Sequence, residues 1–131
     1  MRIVFDETTW PMVRITMRGS ATTEEFEAYL ERRTRLLDRG VPHATVLDAR
    51  QAVVPPKALR ELQARWIREN ESRIRAHSRG IAYVFENSAF RFVLSSIFVL
   101  SPPPSPYLVT AFLDEAVQWA RQCLAARSLA G

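Results

Sequence analysis

The sequence predicts an α/β domain with the element order ββαβαβαβα: a mixed sheet, antiparallel at its opening hairpin and parallel afterwards, with helices packed over it. Three observations predict it. Two short N-terminal stretches alternate apolar and polar residues with period two. Beyond them, short apolar runs alternate with longer segments of helical spacing, the pattern of buried parallel strands joined by crossover helices. The chain has 131 residues, 47% of them hydrophobic and 24% charged, with no visible repeat or linker, which suits a single domain over residues 1–131.

The elements follow in order. In residues 2–6, Ile3 and Phe5 share one face; in residues 12–18, Val13, Ile15 and Met17 do. Both segments read as half-buried strands, and the intervening residues 7–11 suit a hairpin connection. Thr22 followed three residues later by Glu25 is a capping-box pattern, and Phe26, Tyr29, Leu30, Leu36 and Leu37 continue at near-helical spacing to about Asp38. Gly40 supplies a stop. The apolar run 44–47, ending at Asp48, reads as a central strand.

Pro55 and Pro56 fit a first helical turn, and the pattern stays helical to Arg79, with Gly80 expected to end it. At 100° per residue, Leu59, Leu62, Trp66, Ile67, Asn70, Ile74 and His77 fall on one arc, expected to face the core. Residues 81–85 form the next strand, and Asn87 or Ser88 caps a helix running to Leu100. Four prolines in residues 101–106 forbid helix. Residues 107–113 make the last strand. A final helix covers 114 to about 127, with Ala116, Val117, Ala120, Cys123 and Leu124 inward.

Several chemistries are not supported. One cysteine, Cys123, and two histidines, His43 and His77, are too few for a closed zinc site. No phosphate-binding glycine motif and no nucleophile elbow occurs, so no catalytic residue, metal or cofactor is expected and the domain reads as non-enzymatic. The apolar run 89–100 contains Arg91 and falls short of the roughly 20 residues a membrane span needs. With no secretory pattern at the N-terminus, the expected location is cytoplasmic.

The formal charge of +4 comes from seventeen arginines and Lys57 against fourteen acids. Residues 1–54 and 81–131 are each balanced, so the whole excess lies in residues 55–80. There Glu61, Glu69 and Glu71 each precede an arginine by four residues, a spacing expected to pair them with Arg65, Arg73 and Arg75. Lys57, Arg60, Arg68 and Arg79 remain as one basic stripe. Its bland reading is a solvated helix face; the sharper one is an acidic partner or a lipid headgroup. Specific nucleic-acid recognition is not expected.

The C-terminal YLVTAFLDEAVQWA, residues 107–120, and VLDAR, residues 46–50, together with the order of elements, resemble the STAS fold of anti-sigma-factor antagonists, and more closely the bacterial SpoIIAA-like group, described as similar to single-domain CRAL-TRIO lipid-binding proteins. The resemblance covers nearly the whole chain. It implies a regulatory scaffold acting through protein–protein interaction. The Ser or Thr that phosphorylation-switched STAS antagonists carry after the central strand is missing here, since none occurs between Thr45 and Ser72.

The segment SAFRFVLSSIFVLS, residues 88–101, is apolar almost all round, with Phe90, Leu94, Ile97 and Phe98 on one face and Phe92 and Val99 opposite. Either the proline-rich loop and the last helix cover its second face, or that face meets a second subunit or an apolar ligand. Asp48 and Arg50 stand at the carboxyl end of a parallel strand, where open sheets place ligands and where the pair could bind a polar headgroup; the simpler reading is a strand-end ion pair or a cap to neighbouring amides. The first functional expectation is therefore a protein partner or a homodimer with Phe92 and Val99 at the interface. The alternative is an apolar small-molecule or lipid pocket between sheet and helices, walled by Trp66, Phe90, Ile97 and Phe98, with Asp48, Arg50 and the basic stripe near the headgroup.

Overall fold

The computed structural model describes residues 2–130, with side chains described as far as residue 126. The elements are β1 (Arg2–Asp6), β2 (Met12–Gly19), α1 (Thr23–Asp38), β3 (His43–Ala52), α2 (Lys57–Glu69), α3 (Glu71–His77), β4 (Ser78–Val84), α4 (Ser88–Leu100), β5 (Tyr107–Thr110) and α5 (Leu113–Ala130). The five strands lie in the order β1-β2-β3-β4-β5. β1 pairs antiparallel with β2, and every later pair is parallel. The mixed α/β sheet predicted from the sequence is the observed one.

Strand alternation divides the sheet into two faces. On one, Met12, Ala44, Val46, Ala82 and Val84 pack against Ala116 and Ala120 of α5. On the other, Val13, Ile15, Met17, Leu47, Ile81 and Tyr83 form a core with residues of α1, α2 and α3, among them Phe26, Leu30, Leu59, Trp66 and Ile74. Right-handed crossovers between strands laid down in sequence order put every connecting helix on the same side. Only α5, which follows the last strand, is left to cover the other.

Local chemistry sets the boundaries. The Thr22 hydroxyl accepts from Glu25 N–H at 3.1 Å while the Glu25 carboxylate accepts from Thr22 N–H at 2.9 Å, a complete capping box for α1. Asn87 caps α4, its side-chain oxygen accepting from Phe90 N–H at 2.9 Å.

Two expectations are corrected. The helix over 57–79 is two helices: at buried Asn70 the backbone leaves helical geometry (φ −112°, ψ 14°), and both its N–H and its side-chain amide donate to the Trp66 carbonyl. A side chain that competes for a helical carbonyl offers the chain an alternative to helix. Gly80, expected to end that helix, instead lies inside β4. A Cβ there would stand 2.8 Å from the Trp119 ring and 3.0 Å from the Cys123 sulfur, so its role is to admit α5 to close range.

The break redistributes the ion pairs. Glu61 meets Lys57 at 3.8 Å and Glu69 meets Arg65 at 4.0 Å, in place of the expected Arg65 and Arg73. Arg73 crosses to Asp38 on α1. The Glu71–Arg75 pair forms as expected, at 2.7 Å.

Candidate functional site

Between α2 and α4, over the carboxyl halves of β3 and β4, lies an open cleft of about 580 Å³. Met17, Leu47, Ala49 and Tyr83 come from the strands and Phe85 from just past the end of β4; Gln63, Ala64 and Ile67 come from α2; Phe90, Leu94, Ile97 and Phe98 from α4. Val53, Val54 and Pro55 border it on one side and Ser101, Pro102 and Pro103 on another.

The sequence explains why a hollow forms here. Helix α4 touches the rest of the molecule through aromatic contacts: Phe90 lies edge-on to Phe85 at 4.6 Å, and Phe98 meets Tyr83 at 5.3 Å and Tyr107 at 4.9 Å. Arg91 ties its first turn down by donating to the Phe85 and Glu86 carbonyls, each at 2.7 Å. Large rings at these points hold the helix off the sheet, and no residue of α4 is buried. The final helix lies on the opposite face, so the covering of α4 by that helix, one of the two expectations for this segment, is not met. Phe92 and Val99 are 74% and 77% exposed.

The floor carries a bulge. Thr16 pairs with Asp48 and Arg18 with Gln51, so Ala49 and Arg50 together face the single residue Met17. An extra residue of this kind re-aims side chains beside a site. Both Ala49 and Arg50 border the cleft. The Arg50 guanidinium grips both oxygens of Asp48 at 2.9 Å each, with Arg50 N–H adding a third bond at 3.2 Å. Burial would push the Asp48 carboxyl up, and the bonds from Arg50 outweigh it, holding the group below the ordinary carboxylate range.

Two residues expected at the pocket lie elsewhere. Asp48 has the strand parity of Ala44 and Val46, so its side chain starts from the α5 face, opposite Leu47. Trp66 is buried between α1 and the sheet, where its indole N–H donates to the Thr34 hydroxyl at 2.8 Å and Arg33 stacks on its ring at 4.7 Å. It borders a separate cavity of about 30 Å³ with His43, Thr45 and Tyr83. Phe90, Ile97, Phe98 and Arg50 do border the cleft, as do Arg60 and Arg68 of the basic stripe; Lys57 and Arg79 do not. Arg79 donates to the Ala76 carbonyl at 3.2 Å.

The most informative residue missed in the sequence is Tyr83. It is 6% exposed, borders both cavities, and its hydroxyl has no hydrogen-bond partner among the described residues. Burial pushes its pKa up to about 12, so the phenol stays protonated and able to donate. A phenol in the middle of the apolar run 81–85 was its only signal.

No group of three or more metal-ligating side chains occurs among the described residues. No helix among them is long and apolar enough to cross a membrane.

No family model and no curated protein matches the sequence. Among solved structures, the chain is similar to an uncharacterized protein of the DUF3478 family with a SpoIIAA-like fold from Shewanella loihica PV-4, with a TM-score of 0.70 and 10% sequence identity. The match covers 91% of this chain and 92% of that one. At such low identity the likeness speaks for architecture alone, and on that evidence this chain has the SpoIIAA-like fold.

Proposed function

We propose that this domain is a non-enzymatic carrier or sensor that binds an apolar small molecule or lipid in the cleft between α2 and α4. The observation that carries the reading is the cleft itself. At about 580 Å³ it falls within the range of roughly 300–1,000 Å³ usual for small-molecule sites, and apolar side chains from the sheet and from the helices over it line most of it. Exposed Val53, Val54 and Ile97 extend the apolar surface to its rim, at 55%, 53% and 51% exposure. A bound chain would cover these groups and remove their cost of hydration.

Native mass spectrometry on protein purified without detergent or organic solvent tests the proposal. The expected result is an adduct of lipid mass that dissociates on activation. An empty protein that also fails to bind added decanol or decanoate overturns it.

A second reading rests on the outer side of α4, where Phe92, Val99 and Leu100 are 74%, 77% and 88% exposed. A protein partner or a second copy of the chain would bury them, which is the regulatory role expected first from the sequence. Light scattering at micromolar concentrations should then report a dimer that Phe92→Ser dissociates. A monomer in both cases sinks the homodimer form of this reading.

A further inference from the structure

We propose that the occupant of the cleft carries a single acidic head, a carboxylate or a phosphate monoester, held by Arg60 and Arg68, with its hydrocarbon chain laid against α4. This deepens the ligand-binding reading above and rests on it.

The cations of α2 sort into two sets. Lys57 and Arg65 are engaged by Glu61 and Glu69 on the helix surface. Arg60 and Arg68 have no acidic partner among the described residues, and both border the cleft. They are eight positions apart, about 80° around the helix and about 12 Å along it, so they share one side of α2 and spread positive charge along that wall. Pairing has therefore removed charge from α2 where it faces solvent and left it where the helix faces the cleft.

The other charged groups around the cleft are few. Arg50 is committed to Asp48, and Glu86 is the one carboxylate on the lining. The opposite wall, Phe90, Leu94, Ile97 and Phe98, has no charge at all. The cleft is thus amphipathic across its width, cationic along α2 and hydrocarbon along α4. An amphiphile with an anionic head matches both walls at once. A neutral hydrocarbon leaves the guanidiniums unused, and a quaternary ammonium head meets like charge.

The Tyr83 phenol adds an independent sign of a polar ligand atom. Its ring is buried, its hydroxyl makes no hydrogen bond to any described residue, and it borders the same space, where a ligand oxygen can accept from it.

The test compares four ten-carbon probes by titration calorimetry at constant ionic strength: decanoate, decyl phosphate, decanol and decyltrimethylammonium. At least one acidic probe should bind about tenfold more tightly than decanol, the difference expected of one charge-assisted hydrogen bond, and the ammonium more weakly than decanol. Which acidic probe leads identifies the head as carboxylate or phosphate. In the double variant Arg60→Gln/Arg68→Gln the ratio of acid to alcohol should collapse toward one. Arg65→Gln, which removes a charge from the same helix outside the cleft, should leave it intact. Equal binding of acid and alcohol to the unaltered protein, or a preference that survives the double variant, overturns the proposal while leaving the cleft a ligand site. Failure of every probe to bind sinks the cleft reading itself.

Discussion

The two faces of the sheet bury their surfaces by opposite means. Under α5 the contact residues are small: Ala44, Ala82, Ala116 and Ala120 are each fully buried, and Gly80 leaves room for the Trp119 ring. Under the four connecting helices they are large, with Phe26, Leu47, Tyr83 and Phe98 meeting ring to ring or side by side. Small residues let one helix settle directly on the strands and leave no gap. Large ones at a few points prop α4 away, and the space between the props is the cleft. The same sheet can therefore be sealed on one side and open on the other without any difference in its backbone.

The largest effect should come from placing bulk on the sealed side. Ala120→Leu adds a branched side chain where none of the surface is free, and overpacking of this kind costs about 1–3 kcal/mol. The same exchange at Ala64, which lines the open cleft, should change stability by less than about 0.5 kcal/mol. Denaturant melts of the two variants measure the contrast directly. Equal losses would mean that the cleft is closed in solution.

Gly80 sharpens the same contrast at a single atom. Alanine in place of a strand glycine normally gains about 0.5–1 kcal/mol, because the unfolded chain loses freedom. Here the new methyl would meet Trp119, so Gly80→Ala should instead destabilise by about 1 kcal/mol. Combined with Trp119→Ala, the glycine exchange should become neutral or favourable. A double-mutant cycle isolates that coupling, and additive effects would show that the ring moves aside freely.

How much of this was legible in the sequence depends on the range of the information. Alternation in residues 2–6 and 12–18, the Thr22/Glu25 capping box and the small inward residues of α5 are local patterns, and the elements they specify are the observed ones. A glycine after a helical stretch looks the same in sequence whether it ends the helix or, like Gly80, admits a distant tryptophan. A helix wheel pairs Arg73 with Glu69 because it assumes an unbroken helix, which Asn70 denies. Position at a strand end points Asp48 toward a ligand, whereas strand parity sends it to the other face. The apolar character of α4 was plain, but which side of the sheet α5 would take is a property of the whole topology. The cleft follows from that choice and from the spacing of α2 and α4, neither of which any single segment encodes.

A smaller effect, read as a slope, tests whether the four-helix face is closed at its other end. His43 is 4% exposed, stacks on Trp10 at 5.4 Å, and donates from Nδ1 to the Val41 carbonyl at 2.9 Å. Burial holds its pKa below the ordinary 6.5; the bond to Val41 opposes this, and the charges of Arg33, His77 and Arg39 reinforce it. The unfolded chain then binds the extra proton more readily, so this contribution to stability is complete above about pH 6.5 and is lost as the pH falls through the folded-state value. Thermal melts between pH 7 and 5 should show a falling midpoint, with the slope reduced in His43→Gln. The window is separable from that of Glu7, whose carboxyl is held down by bonds from Arg32 and Arg39 and titrates below its ordinary 4.5. An unchanged slope in the variant would mean that water reaches His43.

The smallest effect belongs to the outer side of α4. Phe92 is 74% exposed, so Phe92→Ser removes almost no buried area and should move stability by no more than about 0.5 kcal/mol. Phe98, six residues further along, bridges Tyr83 and Tyr107, and Phe98→Ala should cost distinctly more, since each aromatic pair contributes about 0.5–1.5 kcal/mol beyond area. Both exchanges remove a phenylalanine ring from the same helix, and what sets their costs apart is what that ring touches. Measured together at low protein concentration, they separate the side of α4 that holds the cleft open from the side that faces outward. A large loss at Phe92 would show that something already covers that face, and a concentration-dependent loss would identify the cover as a second copy of the chain.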